Sequence, residues 1–245
     1  MDLRKYIEKF YKGTKQEVVN LLNEKISNNE KTFVITANPE TVMVARNTEE
    51  LKDSFFAEDT LVVPDGVGIL KAGKVLGIEF KETITGIDLC QELFKMLDEK
   101  QKSLYLFGAS KEVVEALNDV IKQQYPNIKM LGYCDGYAED KDKEMEKIVN
   151  LKPDCLLVAL GVPKQEILIS KYFSKFEKGI FMGVGGSFDI LSGKKKRAPN
   201  FFVKNHLEWL YRICREPSRL GRFWNNNIKF LGEVKKEKRR GVVND

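Results

Sequence analysis

The order of apolar runs along this chain limits its fold more than any other feature. Six short runs occur: F-V-I-T-A (33–37), T-L-V-V-P (60–64), S-L-Y-L-F-G (103–108), I-K-M-L-G-Y (128–133), C-L-L-V-A-L-G (155–161) and G-I-F-M-G-V-G (179–185). Longer segments at 14–26, 39–47, 86–97, 111–121 and 163–173 separate them, and most repeat apolar residues at three- and four-residue spacing. The runs are mostly continuous rather than alternating, as strands buried on both faces require. This pattern predicts an α/β chain with a Rossmann-like, open, mostly parallel sheet and helices on both faces. With 245 residues the chain has ample length for such a core.

In open parallel sheets ligands collect beyond the C-terminal ends of the strands. The residues at those ends are Thr36 and Asn38, then Asp65 and Gly66, Gly108, Gly161, and finally Gly185, Gly186 and Ser187. Glycines and small polar residues there let backbone N–H groups and helix N-termini approach a phosphate closely.

Most of these positions carry two readings. Asn38-Pro39-Glu40 suits a helix start, with Asn as N-cap and Pro in the first turn, and it also suits hydrogen bonding to a sugar from Thr36 and Asn38. Asp65, in V-P-D-G, is either a turn residue or a strand-tip carboxylate placed to take a proton from a hydroxyl. G-V-G-G-S-F-D (183–189) forms either a tight strand-to-helix turn or a diphosphate cradle, and matches neither G-x-G-x-x-G nor the P-loop. Asp189 sits in a first helical turn or reaches a ribose or base. Lys164 and Gln165 open a helix, where solvent is the plainer environment. Asp140-Lys141-Asp142 matches the D-x-D of metal-dependent sugar transferases but lies in a charged stretch, so no essential metal is expected.

Beyond Gly193 the character changes. Residues 194–245 hold 15 Lys/Arg and 5 Asp/Glu, whereas residues 1–193 hold 26 and 31. We therefore divide the chain into an α/β catalytic domain, 1–193, and a basic aromatic helical appendage, 194–245. K-K-K-R-A-P-N (194–200) reads as a linker. Arg212, Arg215, Arg219 and Arg222 would line one side of a helix beside Trp209, Trp224 and several Phe and Tyr residues. Beyond K-K-E-K-R-R (235–240), the last few residues read as an unstructured tip. The appendage could pack on its own domain, meet nucleic acid, or lie at an anionic membrane surface, and its tryptophans favour the membrane over nucleic acid. Residues 1–30 lack a signal-peptide core, no apolar run reaches about 20 residues, and His206 is alone among four scattered cysteines. These features point to a cytoplasmic chain with reduced thiols, and the membrane reading of the tail would make it peripheral at the inner face of the cell membrane.

Taken in order, nine stretches resemble the WecG/TagA/CpsF family of bacterial glycosyltransferases. They are I-T-A-N-P-E (35–40), V-P-D-G-V-G-I (63–69), T-G-I-D-L (85–89), L-F-G-A (106–109), Gly136-Tyr137, A-L-G-V-P-K-Q-E (159–166), G-V-G-G-S-F-D-I-L-S-G (183–193), K-R-A-P (196–199) and L-E-W-L-Y-R-I-C-R-E-P-S-R (207–219). The resemblance implies an inverting, metal-independent transfer of N-acetylmannosamine or a related sugar from a UDP donor, which is a substrate and not a cofactor. The acceptor would be undecaprenyl-diphosphate-linked GlcNAc, in wall teichoic acid or a related surface polymer. It further implies Asp65 as general base, and Thr36, Asn38 and Gln165 in the sugar site. Gly108, Gly161, Tyr137, Gly185, Gly186 and Asp189 would lie where the nucleotide goes. Arg212, Arg219 and Arg222 would close over the site and neutralise diphosphate. Two departures stand out: the first 14 residues match the family poorly, and Thr83 stands where it tends to carry arginine. Other expectations are a homo-oligomer and no nucleic-acid partner. A non-catalytic accessory of another glycosyltransferase is the alternative function, while a nicotinamide-dependent oxidoreductase would need the missing G-x-G-x-x-G fingerprint.

Overall fold

A computed structural model describes residues 2–204, 207–215 and 219–243. Its six strands are β1 (Lys31–Ala37), β2 (Thr60–Pro64), β3 (Ser103–Gly108), β4 (Lys129–Cys134), β5 (Cys155–Ala159) and β6 (Gly179–Gly183). They form one sheet in the order β2-β1-β6-β5-β3-β4, and every pairing is parallel. β3, β5 and β6 are buried at every residue, which explains their unbroken apolar runs. β4 is an edge strand with no fully buried residue, because its outer side has no neighbouring strand.

Alternate strand residues serve two cores. On one face, Phe33, Tyr105, Leu156 and Phe181 pack with α1 (Leu3–Lys9), α3 (Pro39–Asn47), α4 (Glu49–Phe56), α5 (Val67–Leu76), α8 (Lys141–Leu151) and α9 (Lys164–Phe173). On the other, Val34, Leu104, Leu157 and Met182 pack with α2 (Lys15–Ser27), α6 (Gly86–Glu99), α7 (Lys111–Gln124) and α10 (Ser187–Leu191).

The tail joins the first face. α11 (Asn200–Lys204), α12 (Glu208–Arg215) and α13 (Arg219–Val243) follow in order. Phe230 and Val234 of α13 are fully buried in the first core. Arg46 Nη1 of α3 lies 3.8 Å from Glu233 Oε2. At the far end, Asp2 caps α1 through the Arg4 N–H at 2.9 Å. Asp2 also shares a hydrogen bond with Glu237 of α13, which holds its carboxyl below the usual carboxylate range.

Three differences from the sequence reading have physical causes. α1 forms in the segment that matched the family poorly, with Leu3, Tyr6, Ile7 and Phe10 buried at helical spacing. α5 forms despite Gly68 and Gly73, and a Cβ on Gly68 would stand 2.6 Å from Pro39 Cγ, so α3 and α5 approach too closely for a side chain. α13 runs through K-K-E-K-R-R to Val243, where an unstructured tip was expected, because α1, α3 and α5 give its apolar side a partner.

Candidate active site

The helices leaving β1 and β5 (α3 and α9) pack on one face, and those leaving β6 and β3 (α10 and α7) on the other. The connections therefore part between neighbouring strands and open a cleft along the C-terminal edge of the sheet.

At one end of this cleft stand the tips of β1 and β2. The Asp65 N–H donates to the Ala37 carbonyl at 3.0 Å, and the Ile84 N–H donates to the Pro64 carbonyl at 2.7 Å. β2 is thus pinned from both sides where Asp65 leaves it. Asn38 Oδ1 accepts from the Thr41 N–H at 3.1 Å and caps α3, while the Thr41 hydroxyl oxygen accepts from the Asn38 N–H. The cap uses only the carbonyl half of the Asn38 amide. α6 starts against the same corner, where a Cβ on Gly86 would stand 3.4 Å from Thr36 Oγ1 and 3.5 Å from Ser187 Oγ. α13 arrives from above: Asn227 Oδ1 would lie 3.5 Å from a Cβ on Gly68, three residues past Asp65. Thr36, Asn38 and Asp65 are therefore grouped around the N-terminal ends of α3, α5 and α6, whose dipoles favour negative charge.

The second group lies at the tips of β5, β6 and β3. Gln165 is buried, and its Oε1 accepts from both the Gly161 and Gly185 N–H groups at 3.0 Å each. Its Nε2 donates to Glu166 Oε1 at 2.7 Å. Asp189 lies in the first turn of α10, with its carboxylate 3.5 Å from Lys195 Nζ. The Gly136 N–H donates to the Ala109 carbonyl at 2.8 Å, and Tyr137 follows with 80% of its surface exposed. Gly108 has φ +117°, and a Cβ there would stand 2.4 Å from the Ala159 carbonyl oxygen. Gly108→Ala combines backbone strain with a backbone clash, and is expected to cost roughly 2–5 kcal/mol, read as a lowered urea midpoint at unchanged m-value.

The basic run at 194–199 is tied down rather than loose. Arg197 Nη2 lies 2.8 Å from Asp88 Oδ1, and its Nε lies 3.4 Å from Glu208 Oε1 of α12. Asp88 Oδ2 in turn accepts from the Thr85 hydroxyl at 2.8 Å, so one guanidinium joins the start of α6 to the tail. Arg212 and Arg215 fall on α12, Arg219 and Arg222 on α13. The side chains of Arg212, Arg219 and Arg222 lie outside the described residues. Phe201 is 67% exposed and Ile228 48%, with Trp209 and Leu210 also exposed. Among the described residues no helix is long and apolar enough to cross a membrane. The D-x-D carboxylates are engaged elsewhere: Asp140 caps α8 through the Lys143 N–H, and Asp142 pairs with Lys171 and Tyr172. The four cysteines are free thiols.

The profile of the glycosyl transferase WecG/TagA/CpsF family matches residues 7–243. The chain belongs to the WecG/TagA/CpsF family. It is 38% identical over 194 residues to the N-acetylglucosaminyldiphosphoundecaprenol N-acetyl-beta-D-mannosaminyltransferase of Bacillus spizizenii strain W23, covering 79% of this chain and 75% of that one. To the Bacillus subtilis strain 168 protein of the same name it is 35% identical, covering 84% and 80%. To that of Staphylococcus aureus strain MW2 it is 37% identical, covering 85% and 81%. Within this family of hexosyltransferases, α13 lies wholly inside the matched span and α1 only from residue 7 onward, so the tail is part of the family's shared body.

Three features of this region escaped sequence reasoning. Arg197 was read as part of a linker, although a single arginine closing a charge run beside Ala198-Pro199 could have signalled an anchor. Asn227 lies in a run of three asparagines, a poor helix sequence whose place beside Gly68 follows only from the docking of α13. Glu166 was not singled out; its burial depends on how α9 packs.

Proposed function

We propose that this chain transfers N-acetylmannosamine, or a closely related sugar, from a UDP donor to undecaprenyl-diphosphate-linked GlcNAc, with inversion and without a metal. The observation that carries this is the grouping of Asp65, Thr36 and Asn38 at three helix N-termini, in a chain sharing most of its length with transferases of that name. In the step itself an acceptor hydroxyl oxygen bonds to the sugar's anomeric carbon as the bond to UDP breaks. The hydroxyl proton passes to the Asp65 carboxylate, and UDP leaves with the bonding electrons. Thr36 and the unused half of the Asn38 amide would orient the sugars. Gly108, Gly161, Tyr137, Gly185, Gly186 and Asp189 would flank the nucleotide. Arg212, Arg219 and Arg222 would supply the fixed positive charge that a leaving diphosphate needs in place of a metal.

The exposed Phe201, Trp209, Leu210 and Ile228, on helices rich in Lys and Arg, support docking at the anionic cytoplasmic leaflet, where a lipid-linked acceptor would be met. Polymers joined to the wall through such a linkage unit, such as wall teichoic acid, are the expected destination. A panel of UDP-sugars with a soluble lipid-diphosphate-GlcNAc analogue, without added metal, is expected to release UDP most rapidly from UDP-N-acetylmannosamine. UDP release that requires added divalent metal, or that proceeds from no donor, would overturn the proposal.

A further inference from the structure

The Gln165 amide has one orientation open to it. Its Oε1 receives two backbone N–H groups, so a flipped amide would turn its own N–H2 against two donors. A Cβ on Gly183 would come within 2.6 Å of its Nε2, so the amide lies tight against the end of β6. Its Nε2 therefore needs an acceptor on the side away from the turns, and Glu166 Oε1 supplies it at 2.7 Å.

Glu166 is itself only 3% exposed. Its second oxygen, Oε2, is buried with no partner among the described residues. A carboxylate there would carry a full charge against only the Gln165 amide and its own backbone N–H, whereas the acid is uncharged and still accepts from Gln165. α9 packs on α4, β1, β5 and β6, whose titratable side chains are Glu49, Glu50, Lys52, Asp53, Lys31 and Cys155. Lys52 is paired with Glu49, Lys31 reaches the Phe173 and Phe176 carbonyls at the far end of α9, and Cys155 is a buried thiol. On α9 itself Lys164 is exposed and Lys171 pairs with Asp142. Burial pushes the Glu166 carboxyl up to about 7, against the opposing pull of the Gln165 hydrogen bond.

We propose that Glu166 is a positioning residue, protonated below neutral pH, which fixes the Gln165 amide and through it the Gly161 and Gly185 turns on the donor side of the site. The donor-side placement of those turns rests on the function proposed above. Two of the glycine N–H groups that could have cradled a diphosphate are thereby committed to Gln165, so the pair shapes the donor pocket instead of leaving it open.

The test compares Glu166→Gln with Glu166→Met in the full chain, using UDP-N-acetylmannosamine. Gln keeps an acceptor for Gln165 and places N–H donors where the acid has its hydroxyl, so kcat and donor KM are expected within about twofold of the parent. Met matches the volume but leaves Gln165 without an acceptor, so donor KM is expected to rise about tenfold with acceptor KM little changed. Donor kinetics of Glu166→Met within twofold of the parent would reduce Glu166 to packing and overturn the proposal while leaving the transferase activity standing. Equal damage in both variants would show that a carboxylate charge is required, and would overturn it too.

Thermal melting supplies an arm independent of turnover. A carboxyl raised from its unfolded value near 4.5 to about 7 stabilises the fold at low pH, and that contribution is lost as pH rises through about 7. The Tm of Glu166→Gln is therefore expected to exceed the parent's by a margin that widens from pH 5 to pH 8. A margin constant across that range overturns the neutral-acid assignment, whether or not Glu166→Met folds and whether or not any donor is turned over.

Discussion

Asp65→Asn is expected to lower kcat by about a thousandfold while UDP affinity, measured by calorimetry, stays within about twofold. The substitution keeps size and shape, and the contacts that fix the position belong to the backbone: the Asp65 N–H on Ala37 and the Ile84 N–H on Pro64. What it removes is the capacity to take a proton from the acceptor hydroxyl. Asp65 stands at the β1–β2 end of the cleft, apart from the glycine turns at β5 and β6, so a loss confined to turnover is the signature of a base. A variant with near-normal rates would assign the proton to another group.

Phe230→Ala is expected to destabilise the fold by about 3–5 kcal/mol and to lower Tm by on the order of 10 °C. Phe230 is fully buried, and it holds α13 in the same core as α1, α3 and α5. The variant keeps every tail arginine, so it separates two roles that deletion of residues 201–245 would merge. Deletion removes the fixed charges and also uncovers part of the core. If Phe230→Ala melted with the parent, α13 would be an accessory strap and not part of the body. A Tm loss with retained turnover below the transition would place the tail's contribution to catalysis in its charged residues.

The sheet was legible because its strands need no partner outside themselves to be recognised. Continuous apolar runs such as 155–159 and 179–183 have few other uses in a chain of this size. The placement of Asp65, Thr36 and Asn38 was legible for a related reason, since it follows from the strands: these residues stand at or just beyond the tips of β1 and β2. What depends on helix docking was not legible. α5 carries two internal glycines that lower its propensity, and they are explained only by the close approach of Pro39 and neighbouring residues. Arg197 looked like one cation among four, and its tie to Asp88 and Glu208 joins segments far apart in sequence. Gln165 and Glu166 sit in a matched motif, yet the motif gives no sign that the first is committed to two backbone N–H groups and the second is buried.

The meeting of α1 with α13 also bears on how the chain is made. α1 leaves the ribosome before the other described elements, and α13 after them. Until α13 is made, the faces of α1, α3 and α5 that receive Phe230 and Val234 stay uncovered, and Asp2 lacks its partner Glu237. Nascent chains therefore carry an apolar surface that only α13 shields, a natural target for chaperones during elongation. Chains truncated by premature termination keep that surface open, which marks them for capture or degradation before a partly built transferase can persist.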